Sequence, residues 1–377
     1  MPEAVLVAAL RTPIGTAFKG TLRDTTAYEL ANRIVAAAAE GLDPELVDDV
    51  VLAESHYGGG VVARHAAVTA GLTGVPGLAL NRHCAAGLAA VQTAAGSIRA
   101  GMDRLIIAGG VNSASTAPKL TFLDEGERWV PPSHPDRPDA PNLDMSITVG
   151  WNAAVRAGVS RAEMDAWALR SHRYAVRAID EGRFKEEIVS VDTPHGLFTQ
   201  DEHPRRNTSA ERLAALKPLH PEIEGFSITA GNACGANDAA AALVVADERL
   251  GLPALATVRS WASVALDPAE TGLTPVQVIP KALARAGLTV ADVDLFEINE
   301  AFAVVPVVAV DRLGLDPESV NVNGSGCSLG HPVAATGARM LVTLVHELRR
   351  RGGGVGVAAM CAGGGMGSAV VLEVPAP

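Results

Sequence analysis

Four residues of this chain are of types that could carry out nucleophilic chemistry: Cys84, His331, Cys361 and Asn299. Cys84 stands in LALNRHCAAGLAAV, between a short apolar run and an alanine-rich helical pattern. A thiol at the start of a helix lies in the positive field of the peptide dipoles, and the thiolate is the reactive form of cysteine. We therefore predict that Cys84 is an easily ionised nucleophile, the alternative being a buried structural cysteine.

A base for that nucleophile is expected at His331, in NVNGSGCSLGHPVAATGARM. Pro332 follows it and suits the first turn of a helix. If the chain has two symmetric halves, this helix start faces that of Cys84, and a Cys–His pair is an activated nucleophile. A capping or core histidine is the alternative. His83 is the poorer candidate, because successive residues point in different directions.

Cys361 and Asn299 both follow strand-like runs. Cys361 opens CAGGGMG after VGVAAM, at the end of a strand where open α/β sheets place their sites. The glycines after it let backbone N–H groups approach a ligand, as an oxyanion hole requires. Asn299 ends the strand pattern of DLFEINEAFA, where an ordinary turn residue is the alternative.

The glycines before His331 raise a second hypothesis. Gly324, Gly326 and Gly330 have GxGxxxG spacing, a loosened dinucleotide-binding fingerprint. That fingerprint needs an acidic residue at the end of a second strand, but Glu347 lies within a helical run. We therefore interpret these glycines as clearing space around the histidine.

The elements that must position these residues alternate between β-branched runs and alanine-rich helices, which predicts a mainly parallel sheet covered by helices. An internal repeat supports two similar halves, because GLDPELVDDVVLAE (41–54) matches GLTVADVDLFEINE (287–300) at five positions. The region between them is rich in proline and charge and breaks the rhythm. The predicted division is an N-terminal half at 1–112 and 246–252, an inserted loop domain at 113–245, and a C-terminal half at 253–377.

Composition narrows the classes of function. The net charge of −11 argues against a nucleic-acid or anionic-membrane binder, and no apolar run is long enough to span a membrane. Glu3 before the first apolar run and Arg11 after it have the wrong polarity for a secretory signal. The four cysteines form no CxxC pair, so neither a zinc site nor a disulfide scaffold is expected. We predict a cytoplasmic protein.

Motifs in order along the chain identify a resemblance to the thiolase family over essentially its whole length: RTPIG, NRHCAAG, AGG, EEIVSV, DEHPR, TAGNACGAND, INEAFA, GHP and CAGGGMG. The resemblance implies an α/β protein with a five-layered α-β-α-β-α fold, made of two duplicated halves with an inserted loop domain that binds coenzyme A. It implies an acyltransferase that cleaves 3-ketoacyl-CoA with CoA or condenses two acyl-CoAs.

The same resemblance implies roles for site residues. Cys84 becomes acylated, His331 activates it, and Cys361 is the second acid or base. Asn299 positions a water that forms one oxyanion hole with His331, and the N–H groups of Cys84 and Gly363 form the other. Coenzyme A and acyl-CoA are substrates, with no tightly bound cofactor and no metal.

Coenzyme A is expected near Ala230, Cys234 and Met145. Four departures from the family pattern accompany these matches: Ala86 and Cys234 replace serines, Asp144 replaces a histidine, and Ala334 replaces a glycine.

Two alternatives remain open at this stage. One is a degenerate thiolase that binds acyl-CoA without turnover, and the other is a Cys–His–Asn hydrolase. The segment before Asp144 is short and proline-rich compared with tetrameric family members, so we expect a homodimer, with a tetramer as the alternative.

Overall fold

Two βα units of similar design make up most of the protein, whose computed structural model describes residues 2–55, 60–118 and 132–376. The first unit contains, in order, β1 (Ala4–Arg11), β2 (Gly15–Thr16), α1 (Ala27–Ala39), β3 (Asp49–Ala53), α2 (Val62–Thr69), β4 (Gly77–Leu80), α3 (Ala86–Ala100) and β5 (Leu105–Ser113). An inserted region then carries a π-helical segment (Ser146–Trp151), α4 (Asn152–Ala157), α5 (Arg161–Asp180), β6 (Val191–Thr193), β7 (Gly196–Phe198) and α6 (Ala210–Ala214). The remaining elements are β8 (Asn237–Asp247), β9 (Ala256–Ala265), α7 (Thr274–Arg285), β10 (Leu295–Ile298), α8 (Val304–Leu313), α9 (Thr336–Arg350), β11 (Gly354–Ala362) and β12 (Met366–Val374).

The internal repeat predicted from the sequence corresponds to a repeated structure. In each half a helix ends near a left-handed glycine, Gly41 with φ 76° and Gly287 with φ 72°, and a short 3-10 turn then leads into a strand. Both glycines adopt a backbone conformation that disfavours other residues, so the match reflects the same chain reversal in the two halves. The duplication is confirmed.

The sheet and its helices form five layers. The strand order is β4-β3-β5-β8-β1 in the first half and β10-β11-β12-β9 in the second, and β1 and β9 join the halves edge to edge through Val5–Thr257 and Leu6–Ala256. Helices α3 and α9 contact each other and strands of both halves, so they form the central layer. Helices α1 and α2 cover the outer face of the first half, and α7, with α8 beside it, covers that of the second. The predicted fold class is therefore confirmed.

The central layer explains the alanine-rich composition of α3. Its residues Leu88 and Ile98 are fully buried, together with most of its alanines. Each such leucine or isoleucine contributes about 1.5–3 kcal/mol of hydrophobic stabilisation. The small residues let α3 lie close to α9 and to the strands on both sides.

Residues 237–245 are placed differently from the predicted division. They form most of β8, which pairs antiparallel with both β1 and β5 inside the first half-sheet, whereas the predicted division puts them in the insertion. Small apolar residues, among them Ala239–Ala242, allow this strand to be buried on both faces. The other predicted domain limits remain a proposal.

The inserted region agrees with its sequence pattern where the structure describes it. Helix α5 begins after Ser160, whose hydroxyl accepts from the Glu163 N–H in a capping box. The loop predicted at 116–145 lies partly outside the described residues; within 132–145 it has no regular strand or helix. Across the described ranges, no helix is long and apolar enough to cross a membrane.

Candidate active site

Cys84 lies on a tight turn between β4 and α3. His83, just before it, has a positive φ of 47°, which is uncommon for a residue other than glycine. The Asn81 side-chain oxygen holds this turn by accepting from the His83 N–H at 2.7 Å. Such a backbone conformation persists only where surrounding contacts impose it, and it is found most often at functional sites.

The environment of the Cys84 thiol differs from the sequence prediction. Burial raises the pKa of Cys84 to about 11, although hydrogen bonds from the backbone N–H groups of Gly363 and of Cys84 itself lower it. The predicted easy ionisation of Cys84 is therefore wrong, because desolvation outweighs the backbone hydrogen bonds that lower the pKa of the thiol. The thiol is neutral at rest, and it needs a base to become nucleophilic.

His331 lies in a buried loop that leads into α9. Its backbone N–H donates to the side-chain oxygen of Asn237 at 2.9 Å, and its Nδ1 lies 2.7 Å from the Thr336 hydroxyl. Its Nε2 is buried and has no hydrogen-bond partner among the residues that the structure describes. Burial and the neighbouring Arg339 lower the pKa of His331 to about 3. The imidazole is therefore neutral and one ring nitrogen is free to react.

The loop glycines clear space, as the sequence interpretation favoured. A Cβ on Gly330, which has a φ of 108°, would lie 2.5 Å from Asn237. A Cβ on Gly324 would lie 2.5 Å from the Ser328 hydroxyl, and one on Gly326 the same distance from a backbone oxygen. Because protein atoms occupy this space, the loop cannot cradle a phosphate, and the dinucleotide hypothesis is excluded.

The turns that carry Cys84 and His331 come together where α3 and α9 cross. A Cβ on Gly337 would lie 2.4 Å from the Leu88 nitrogen, and one on Gly87 would lie 2.7 Å from the Ala338 nitrogen. The first turns of the two helices therefore meet backbone to backbone. This contact between the halves is the one predicted from their symmetry.

Cys361 is buried near the end of β11, opposite Gly367 of β12. Burial raises its pKa well above the usual range for a thiol, and the nearby Cys84 and Cys234 raise it further. Cys361 is therefore a neutral thiol that lies close to both. Gly363 follows two residues later, and its N–H reaches the Cys84 sulfur.

Asn299 directly follows β10 and is fully buried. Its N–H donates to the Ala359 oxygen of β11 at 3.0 Å, which fixes the backbone at the sheet end. Neither polar atom of its side-chain amide has a hydrogen-bond partner within the described part of the chain. A buried amide without protein partners is costly, so its atoms are available for a ligand.

Glu300 holds the segment that carries Asn299. Its carboxylate accepts from the Trp167 indole at 2.8 Å, the Ser171 hydroxyl at 2.6 Å, the Asn321 amide at 2.9 Å and the Cys327 N–H at 3.1 Å. These donors come from α5 and from the loop before His331. Glu300, Asn237 and Thr336 were not among the residues predicted for the site. The only signal for these residues was a polar side chain within an otherwise apolar or glycine-rich motif.

The residues predicted to contact coenzyme A lie on two segments. Cys234 is bound to the segment after Asn299, because its N–H donates to the Ala301 oxygen at 3.0 Å. Burial and the nearby Cys84 raise the pKa of Cys234 to about 12. Ala230 is exposed on the outer part of the same turn, and Met145 is half-buried before the π-helical segment.

Asp144 is engaged by protein partners. One oxygen accepts from the Ser146 hydroxyl at 2.6 Å, and the other lies 2.7 Å from Nε2 of His220. Burial would raise the pKa of Asp144, but the Ser146 hydrogen bond and the His220 charge lower it overall. The Asp144 carboxylate is therefore engaged by contacts within the protein, and the imidazole of His220 lies beside it.

Two of the departures from the family pattern are neighbours. Ala86 and Ala334 belong to one small buried cluster with Ala53, against which Leu80 packs. Ala86 lacks the hydroxyl of the usual serine, and Ala334 carries a methyl group that the usual glycine lacks. The two departures therefore lie in the same apolar contact. Among the described residues, no group of three or more histidine, cysteine or acidic side chains is arranged to hold a metal.

Comparisons with known proteins agree with this architecture. The family model for the thiolase N-terminal domain matches residues 4–249, and that for the thiolase C-terminal domain matches residues 252–374. The chain is 41% identical to an acetyl-CoA acetyltransferase of Pseudomonas aeruginosa over 99% of both chains. It is 38% identical to a 3-ketoacyl-CoA thiolase of Bacillus subtilis over 99% of this chain and 100% of that one.

A solved structure extends the match to three dimensions. The acetyl-CoA acetyltransferase of Bacillus anthracis superposes with a TM-score of 0.90 at 37% identity, and the match covers 99% of each chain. Sequence and structure therefore agree over the full length, and the chain belongs to the thiolase family.

Proposed function

We propose that the protein is an acyl-CoA C-acyltransferase that cleaves 3-ketoacyl-CoA with CoA, or condenses two acyl-CoAs, through an acyl group on Cys84. The observation that carries this proposal is the meeting of two helix starts, one preceded by a neutral thiol near the Gly363 N–H and the other by a neutral histidine whose Nε2 has no partner among the described residues. The named activities of the similar proteins support it.

In the thiolytic direction, His331 Nε2 takes the proton of Cys84 as the sulfur attacks the 3-keto carbonyl. The N–H groups of Cys84 and Gly363 stabilise the negative charge that develops on that oxygen. The raised pKa of Cys84 and the lowered pKa of His331 keep the proton on the sulfur until attack begins. Charge separation therefore coincides with bond formation. The C–C bond then breaks, leaving a thioester on Cys84 and a carbanion on the departing acyl-CoA.

Cys361 protonates that carbanion. Its buried thiol is neutral, so it can donate a proton to the departing acyl-CoA. The thiolate left on Cys361 then takes the proton of the incoming CoA, whose sulfur attacks the thioester, and Cys84 regains its proton from His331. Condensation runs these steps in reverse: Cys361 protonates the departing CoA sulfur as Cys84 is acylated, and its thiolate then removes the α-proton of the second acyl-CoA, whose carbanion attacks the thioester on Cys84. The enolate oxygen is stabilised by His331 and by a water held by Asn299, whose buried amide has no protein partner among the described residues.

Coenzyme A and acyl-CoA are substrates of this reaction and not resident cofactors. We place them against the inserted region and the turn containing Ala230 and Cys234, near Met145. The electrostatic coupling of Cys234 to Cys84 supports this placement, because it sets the turn beside the nucleophile. A thiol at this position is a weak hydrogen-bond partner for the pantetheine.

We also propose a cytoplasmic homodimer, with a tetramer as the alternative. Strand β4 lies at the edge of the first half-sheet, where β3 is its only partner in the described structure, and Leu78 on it is 42% exposed. An uncovered edge strand with an exposed leucine is suited to pairing with a second copy. Light scattering on the wild type and on Leu78→Lys tests this, since a charge at the pairing edge should yield monomers.

The activity is tested by thiolysis of acetoacetyl-CoA together with intact-mass detection of the acyl-enzyme. Cys84→Ala should lose both the acetyl adduct and turnover. Cys327→Ala removes another buried cysteine and serves as the matched control, which should retain the adduct. Covalent labelling of Cys84→Ala by acetyl-CoA would refute the mechanism. Absence of thioester loss in the wild type across several chain lengths would favour binding without turnover.

A further inference from the structure

The side chain of Thr336 contacts the imidazole of His331. Thr336 is the first residue of α9, and its Oγ1 lies 2.7 Å from Nδ1 of His331. The same oxygen lies 2.9 Å from the backbone oxygen of Pro332, the contact that a helical threonine makes with the residue four positions before it. Both Thr336 and His331 are buried, so bulk water does not compete for these bonds.

The direction of these hydrogen bonds follows from their donors and acceptors. A hydroxyl has one proton, and a carbonyl oxygen only accepts. Both contacts form together only if the threonine hydroxyl donates to Pro332 and the histidine Nδ1–H donates to the hydroxyl. In the opposite tautomer the hydroxyl donates to Nδ1 and gives up its bond to the Pro332 oxygen, whereas Nε2 has no partner in the described structure in either tautomer.

We propose that Thr336 is a positioning residue that selects the His331 tautomer with its proton on Nδ1, leaving the Nε2 lone pair free to accept the Cys84 proton. This rests on the proposed role of His331 as the base. The hydroxyl also fixes the ring orientation, while the Asn237 oxygen fixes the histidine backbone. The lowered pKa of His331 agrees with it, because a neutral ring must choose one tautomer.

Two measurements test the tautomer without requiring acyl-CoA turnover. The first is the nitrogen chemical shifts of histidine side chains in ¹⁵N-histidine-labelled protein, with the His331 signals identified by their loss in His331→Asn. The second is the rate at which iodoacetamide alkylates Cys84, a reaction that needs the thiolate but no coenzyme A site. Both are made on wild type, Thr336→Val, Thr336→Ser and Thr343→Val.

Thr343 provides the matched control, because it is a buried threonine of the same helix whose hydroxyl contacts Glu187 at 3.1 Å and not the histidine. The wild type should show a protonated Nδ1 and an unprotonated Nε2. Thr336→Val should move the proton toward Nε2 and slow alkylation about 10- to 100-fold, the usual effect of removing the partner that orients a functional histidine. Thr336→Ser should restore both properties, and Thr343→Val should change neither.

Three results would overturn the proposal. A wild-type His331 protonated on Nε2 would do so even if the Thr336 variants failed to fold. The same follows if Thr336→Val keeps the wild-type tautomer and alkylation rate, or if Thr336→Ser folds but does not restore them. A correct tautomer in a protein without acyl transfer would instead refute only the proposed function.

Discussion

The backbone N–H of Gly363 donates to the sulfur of Cys84, so the end of a strand in the second half contacts the nucleophile of the first. Neither half contains this arrangement alone. The nucleophile precedes α3, and the donor follows β11. The site therefore exists only once the halves pack together.

Replacing Cys361 should separate the two stages of the reaction. Cys361→Ala leaves Cys84, His331 and the Gly363 N–H in place, so acetyl-CoA should still acetylate Cys84. Condensation should fall by at least about 100-fold, because the carbanion then lacks its acid or base. Intact-mass labelling and acetoacetyl-CoA formation measure the stages separately, and an equal loss of both would remove the role assigned to Cys361.

The reactivity of Cys84 toward iodoacetamide should depend on pH in two different ways. With a pKa of about 11, the thiol alone is ionised to only about one part in ten thousand at pH 7. In His331→Asn the alkylation rate should therefore rise about tenfold per pH unit up to about pH 11. In the wild type, His331 remains a neutral base down to about pH 3, so the rate should be higher at pH 7 and less steep. Identical profiles would show that the histidine does not assist the thiol.

Stability should fall steeply in mild acid. Burial is the main cause that lowers the pKa values of His172 and His203 to about 4 and of His331 to about 3. The unfolded chain protonates these residues below about pH 6.5, whereas the folded protein keeps them neutral. Their contribution is thus complete above that pH and is lost as the pH falls toward 4, at up to about 1.4 kcal/mol per pH unit for each.

His172→Asn isolates one of these contributions. The Nδ1 of His172 accepts from the Arg205 N–H at 3.1 Å, and an asparagine oxygen can replace that acceptor without titrating. Urea unfolding between pH 7 and pH 4.5 should show a shallower loss of stability in the variant. Parallel curves for variant and wild type would contradict the assignment.

Gly330 should tolerate alanine less well than Gly41. Both have positive φ, but a Cβ at Gly41 meets nothing within 4 Å, whereas one at Gly330 would lie 2.5 Å from Asn237. Gly41→Ala should cost about 1–2 kcal/mol through backbone strain alone. Gly330→Ala should cost about 2–5 kcal/mol and slow Cys84 alkylation, since the collision displaces the residue that holds the His331 backbone. Equal free energies of unfolding for the two variants would show that the loop around Gly330 accommodates the added methyl group at no extra cost.

The sequence by itself determined the repeating βα design, the duplication and the residue types at the site. Interactions between chain neighbours can be recognised in a linear pattern of residues. The features of this kind are the turns at Gly41 and Gly287, the serine cap of α5 and the glycines around His331. The family motifs further indicated which cysteine, histidine and asparagine to consider. The residues next to Cys84 along the chain also predicted a helix start that would favour its thiolate.

Only the tertiary structure decided the chemical state of those residues. Desolvation at Cys84 depends on how many distant atoms exclude water from it, and it raises the pKa that the helix start was expected to lower. The placement of β8 within the first half-sheet likewise depends on pairing with β1 and β5, far away along the chain. The partner of Nδ1 in His331 emerges only when α9 has formed, because a hydrogen bond requires position and direction as well as residue type.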